Sequence, residues 1–143
     1  MKKLILIFAV VLMSLPLFCQ VNGDTIIANN PANLKLKVMY FHITNRCHTC
    51  HSIETNVRKT IADYFQAQLD SGIINLQIYN CELPENEEIV KKYSAYGATF
   101  ALTSVVDGKE TELEDLTNWA FQKIGKPDIF IAELKDMIEQ RIK

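Results

Sequence analysis

The alternation of apolar and polar stretches after residue 33 predicts one α/β domain. Leu36-Lys37-Val38-Met39-Tyr40-Phe41-His42-Ile43 is rich in β-formers and mostly apolar, the pattern of a central strand buried on both faces. Thr44-Asn45-Arg46 is a short turn. Beyond it, Ile53, Val57, Ile61, Tyr64, Phe65 and Leu69 recur at spacings of three and four. That predicts one amphipathic helix from Cys50 to Leu69, stopped at Ser71-Gly72.

Ile73 to Tyr79 is a second β-type run. Asn80 to Pro84 turns into an acidic helix start, Glu85-Asn86-Glu87-Glu88, with Ile89 and Val90 on the inner side; acids in a first turn suit the helix dipole. Thr99 to Val106 reads as a third strand, Asp107-Gly108 as a hairpin turn, and Lys109 to Leu116 as its partner strand. Thr117 to Ile124 predicts a short helix ended by Gly125. A last helix starts near Pro127, lined by Ile129, Ile131, Leu134, Ile138 and Ile142. The order β-α-β-α-β-β-α predicts a central mixed sheet with helices on both faces.

The N-terminus follows a different pattern. Met1-Lys2-Lys3 precedes Leu4 to Phe18, which holds no charged residue, and residues 1–23 read as a secretory signal peptide. The run is shorter than the roughly 20 residues of a spanning helix. Val21-Asn22-Gly23 offers a cleavage site before Asp24. Cleavage there is preferred to a lipid anchor at Cys19, because Phe18 is bulky for the residue before a lipidated cysteine. Residues 24–33, with Asn29-Asn30-Pro31, read as a linker, and residues 34–143 as the domain. The expected location is exported, periplasmic or associated with the cell envelope.

Composition narrows the function. Loss of Lys2 and Lys3 with the signal moves the formal charge from −2 to −4, which leaves no electrostatic footprint for nucleic acid. The shortened chain keeps Cys47, Cys50 and Cys81, an odd number that cannot all form structural bridges. Thiols outside the cytoplasm are usually paired or redox-active.

Cys47-His48-Thr49-Cys50 stands where a strand meets a helix, so both sulfurs share a first helical turn. The unpaired N–H groups and positive dipole end there favour a thiolate on Cys47. Cys50, one turn further in, is the resolving thiol. Arg46 and His48 would stabilise the thiolate if they point toward it. With His51 the segment also fits the C-x-x-C-H pattern of haem attachment. The reading set against haem is that the motif follows a buried strand in a β-rich chain, with only Met39, Met137 and His42 as candidate second ligands. No cofactor is expected. A soft metal or arsenite site made from Cys47, Cys50, His51 and Cys81 is an alternative to redox chemistry. Trp119 and Phe121 read as core residues in preference to a docking patch.

Val38-Met39-Tyr40-Phe41-His42 and Arg46-Cys47-His48-Thr49-Cys50-His51-Ser52-Ile53-Glu54 resemble the thioredoxin-like superfamily. Together with Tyr79-Asn80-Cys81, Pro84-Glu85-Asn86, Lys92-Tyr93 and Tyr96-Gly97, they are similar to the exported family of nitrophenyl compound nitroreductase subunit ArsF; the resemblance covers most of residues 35–116. It implies a thioredoxin fold with Cys47 as nucleophile and Cys50 as resolving thiol. The chain departs from the superfamily pattern at Thr99, where thioredoxins carry a cis-proline facing the dithiol. It departs again in the strand Val38 to Phe41, which lacks a buried acid, so that His42 is the nearest titratable group. A cis bond before a non-proline residue costs about 3 kcal/mol, so Thr99 is expected in trans.

The reading that follows is an exported thiol–disulfide oxidoreductase. Its partners would be a protein or small-molecule disulfide or dithiol, with a membrane electron donor as a further partner. The alternatives are a thiol protein that binds a soft metal or arsenite, and an accessory subunit that uses the fold for docking.

Overall fold

The computed structural model describes residues 31–143; the expected signal peptide and cleavage site, Cys19 and most of the expected linker lie outside the described residues. A single 3-10 turn at Pro31–Asn33 leads into β1 (Leu36–His42). There follow α1 (His48–Tyr64), α2 (Gln66–Asp70), β2 (Ile74–Asn80), α3 (Glu87–Tyr93), β3 (Thr99–Val106), β4 (Lys109–Asp115), α4 (Thr117–Lys123) and α5 (Pro127–Ile142).

The four strands form one sheet in the order β2-β1-β3-β4. β1 runs parallel to β2 and antiparallel to β3, and β4 closes the edge antiparallel to β3. β1 is therefore central, and its alternate side chains enter two separate cores. Leu36, Val38 and Tyr40 join Ile53, Val57 and Ile61 of α1 with Phe130, Leu134 and Ile138 of α5. Met39 and Phe41 face the other way, onto Val90 and Tyr93 of α3. A mixed sheet with this strand order, crossed over by α1 and covered by helices on both faces, is the thioredoxin-like fold.

The Asp107-Gly108 turn has both residues at positive φ, 52° and 73°, as a two-residue hairpin of type I′ requires. β4 is a mostly exposed, largely acidic edge strand, Lys-Glu-Thr-Glu-Leu-Glu-Asp, which suits an edge that must not pair with another sheet.

Two helices differ from expectation. The predicted helix over 50–69 is broken at Phe65, whose φ of −132° ends α1 and opens α2. Ile53, Val57, Ile61, Phe65 and Leu69 are spaced by four throughout, and each such step drifts about 40° around an ideal helix. The break resets the phase, so that Phe65 and Leu69 still reach the core while Tyr64 is half exposed. In α5 the buried face is Phe130, Leu134 and Ile138, not the predicted set that included Ile129 and Ile131. The run Ile129-Phe130-Ile131 leaves the helical phase ambiguous in sequence. The bulkiest of the three residues takes the inner position, and Ile129 is left largely exposed.

Trp119 packs on Phe130, with ring centroids 4.7 Å apart, and its indole N–H donates to Glu133 at 2.8 Å. It belongs to the core, whereas Phe121 is exposed. No helix of the described residues is long and apolar enough to cross a membrane.

Candidate dithiol site

β1 ends at His42, and the chain turns through residues 43–46 to the first turn of α1. That turn is clasped to the segment after β2. The Thr44 N–H donates to Glu82 Oε2 at 2.8 Å, and Asn80 Nδ2 donates to Thr44 Oγ1 at 3.0 Å. Asn80 is itself held there, since its carbonyl accepts from Asn86 Nδ2 and its Oδ1 from the Glu82 N–H.

Cys47 is the N-cap of α1, in extended conformation, and its sulfur accepts the Cys50 N–H at 3.3 Å. A thiol thus takes the place that a serine or aspartate oxygen usually occupies at a helix start. The two sulfurs are 2.8 Å apart, Cys47 exposed and Cys50 buried. Their acidities separate accordingly. The hydrogen bond from the Cys50 thiol, followed by the Cys50 N–H and the contacts of Thr49, holds Cys47 below the ordinary thiol range. Burial, and then the bond to Cys47, pushes the Cys50 thiol up. The arrangement presents an exposed, readily ionised nucleophile backed by a shielded second thiol.

Beneath the pair, the Tyr40 hydroxyl donates to the Cys50 carbonyl at 2.9 Å. Burial raises the phenol well above its ordinary value, so it remains a neutral donor. The Arg46 guanidinium lies 5.9 Å from the Tyr40 ring centroid and pairs through one amino nitrogen with Glu54 Oε2. Arg58 Nε holds the other carboxylate oxygen at 2.7 Å. Arg46 and Glu54 are both largely buried, with side chains 14% and 15% exposed.

Tyr40 and Glu54 were not among the residues singled out from the sequence as site residues. The available signal was spacing, since Cys47, Cys50 and Glu54 fall at steps of three and four along one helix face.

The other expected residues are placed as follows. His48 and His51 are exposed and line a groove between α1 and the start of α5, opposite Ile124 and Pro127. The Ser52 hydroxyl donates to the His48 carbonyl at 3.0 Å. His42 is half-buried and bonds the Ile43 carbonyl through Nδ1 at 2.9 Å; burial lowers its pKa. Cys81 donates its thiol proton to the His42 carbonyl at 3.0 Å and packs against the core on the α3 side. Among the described residues no three His, Cys, Asp or Glu side chains are placed to hold a metal ion, so Cys81 and His51 are not gathered with the dithiol as a ligand set. Thr99 opens β3 opposite Phe41, and its peptide bonds, like all those of the described residues, are trans. Its hydroxyl donates to the Gly97 carbonyl at 3.3 Å.

No family model and no curated protein matches the chain. Among solved structures it is similar to mitochondrial thioredoxin 3 from Saccharomyces cerevisiae in its oxidized form, at 22% identity over 71% of this chain and 85% of that one, with a TM-score of 0.42. It is also similar to a malarial protein, at 20% identity over 62% of this chain and 94% of that one, with a TM-score of 0.39.

Proposed function

We propose that the protein is an exported thiol–disulfide oxidoreductase in which Cys47 attacks and Cys50 resolves. The observation that carries this reading is the 2.8 Å pairing of an exposed N-cap sulfur with a buried one. In the reducing direction, the Cys47 thiolate displaces one sulfur of a substrate disulfide, which leaves as a thiolate and takes up a proton. The Cys50 thiolate then attacks Cys47, forming the Cys47–Cys50 disulfide and releasing the second substrate sulfur, again protonated. Two electrons and two protons pass to the substrate. The reverse sequence oxidises a dithiol.

Export is supported by Lys2-Lys3 and the uncharged run Leu4 to Phe18. An envelope location would place a membrane electron donor within reach. Kinship with the ArsF subunits is supported by the ordered residues from Val38 to Gly97.

The test is trapping. Cys50→Ser should accumulate a mixed disulfide through Cys47 with disulfide-intact insulin as partner, and Cys47→Ser should accumulate none. Absence of both the mixed disulfide and insulin reduction by the wild type overturns the reading.

A further inference from the structure

Cys50 must become a thiolate to resolve a mixed disulfide, yet it is buried and its thiol is harder to ionise than an ordinary one. A compensating positive group is needed close by; of the basic side chains of β1, Lys37 is paired with Glu110 at 2.7 Å, and burial lowers the pKa of His42, which disfavours its cation. The group present is Arg46. Its guanidinium lies against the ring of Tyr40, whose hydroxyl bonds the Cys50 carbonyl, so that ring connects the cation to the resolving residue. Glu54, one helical turn beyond Cys50, fixes the guanidinium there. Arg58 shares the carboxylate and keeps Glu54 from turning outward.

The Arg46 Nε–H is buried with no hydrogen-bond acceptor. A buried donor left unpaired in the resting state costs free energy, and a nearby anion formed during turnover relieves that cost.

On the reading of the dithiol given above, we propose that Arg46, anchored by Glu54 and Tyr40, is a positioning residue that stabilises the Cys50 thiolate during resolution of the mixed disulfide. The step is the second displacement. Cys50 loses its proton, its sulfur attacks Cys47, the bond from Cys47 to the substrate sulfur breaks, and the departing thiolate takes up a proton. Arg46 exchanges no atom; its charge offsets the burial of the attacking anion. The direction agrees with the effect of Arg46 on the Cys50 thiol, which it lowers against the larger effect of burial.

Stopped-flow reaction of the reduced full chain carrying Cys19→Ser and Cys81→Ser with 4,4′-dithiodipyridine, a neutral disulfide, separates the two displacements, since only Cys47 and Cys50 then remain as thiols. Each releases one thiopyridone, the first from attack by Cys47 and the second from attack by Cys50. In Arg46→Gln the second phase should slow about tenfold relative to the first, with its pH midpoint about one unit higher, as expected for loss of one nearby charge. Arg46→Lys should restore both toward wild type, because it retains the charge but not the planar fork. If Gln and Lys variants behave alike, or if Arg46→Gln keeps the wild-type second phase and midpoint, the inference is overturned. Failure of the underlying dithiol reading looks different: the first phase would be missing from the wild type or would persist in Cys47→Ser.

Discussion

The Tyr40 hydroxyl donates 2.9 Å to the carbonyl of Cys50, tying the central strand to the helix turn that carries the buried sulfur. Both ends of this bond are buried. The cysteine pair therefore rests on a polar contact inside an apolar core.

Tyr40→Phe removes that donor while preserving the ring under Arg46. A net loss of about 1 kcal/mol is expected for one such hydrogen bond, read as a lower urea midpoint at unchanged slope. A variant as stable as the wild type would show that the bond contributes nothing.

Alkylation of the reduced protein should be ordered. Iodoacetamide should modify Cys47 with a pH midpoint below that of an ordinary thiol, and Cys50 only at higher pH, as read by peptide mass mapping. Equal modification of the two, or Cys50 first, contradicts the assignment of roles.

The same two shifts give the reduced protein a pH-dependent stability with two limbs. A lowered folded-state value for Cys47 contributes stability above the unfolded thiol value and loses it as pH falls through the folded one. A raised value for Cys50 contributes below the unfolded value and loses it as pH rises through the folded one. Relative to the Cys47→Ser/Cys50→Ser double variant, the reduced wild type should gain stability with pH up to the ordinary thiol value of about 8.5 and lose it above. A flat difference between the two urea titrations would contradict both shifts.

The phase of the last helix can be tested with neighbouring residues. Phe130→Ala leaves a cavity between α5 and the sheet and should cost about 3–5 kcal/mol. Ile129→Ala, on the exposed side, should change stability by less than about 0.5 kcal/mol. Comparable losses at both positions would mean that the helix is rotated from its described phase.

Gly108→Ala probes the hairpin. Nothing lies within 4 Å of the added Cβ, but the φ of 73° suits glycine far better than alanine. A loss of about 1 kcal/mol is expected from backbone strain alone, seen as a lower Tm. An unchanged Tm would show that the turn relaxes without cost.

The continuous apolar, β-rich runs and the Asp107-Gly108 turn made the sheet legible, because strand propensity and positive-φ chemistry are both local signals. The break at Phe65 and the rotation of α5 were not legible. Both are settled by which large side chain the opposing layer admits, and that is a property of three packed elements together. At the site, the cysteines were visible by spacing alone. Arg46 was noticed as a neighbour of Cys47, but its pairing with Glu54, its stacking over Tyr40 and the Tyr40 bond to Cys50 connect a strand, a turn and a helix. No single segment of sequence encodes that meeting.

The clasp between Thr44 and the pair Asn80 and Glu82 has a consequence in time. Its bonds join residues 36 and 38 positions apart, so the turn ahead of Cys47 acquires its shape only after β2 has docked beside β1. A short isolated helix is marginal in water. A chain still emerging or unfolded therefore carries Cys47 as an unremarkable thiol, slow to enter unwanted disulfides. On this geometry the turn ahead of Cys47 takes its shape with the docking of β2, not before it.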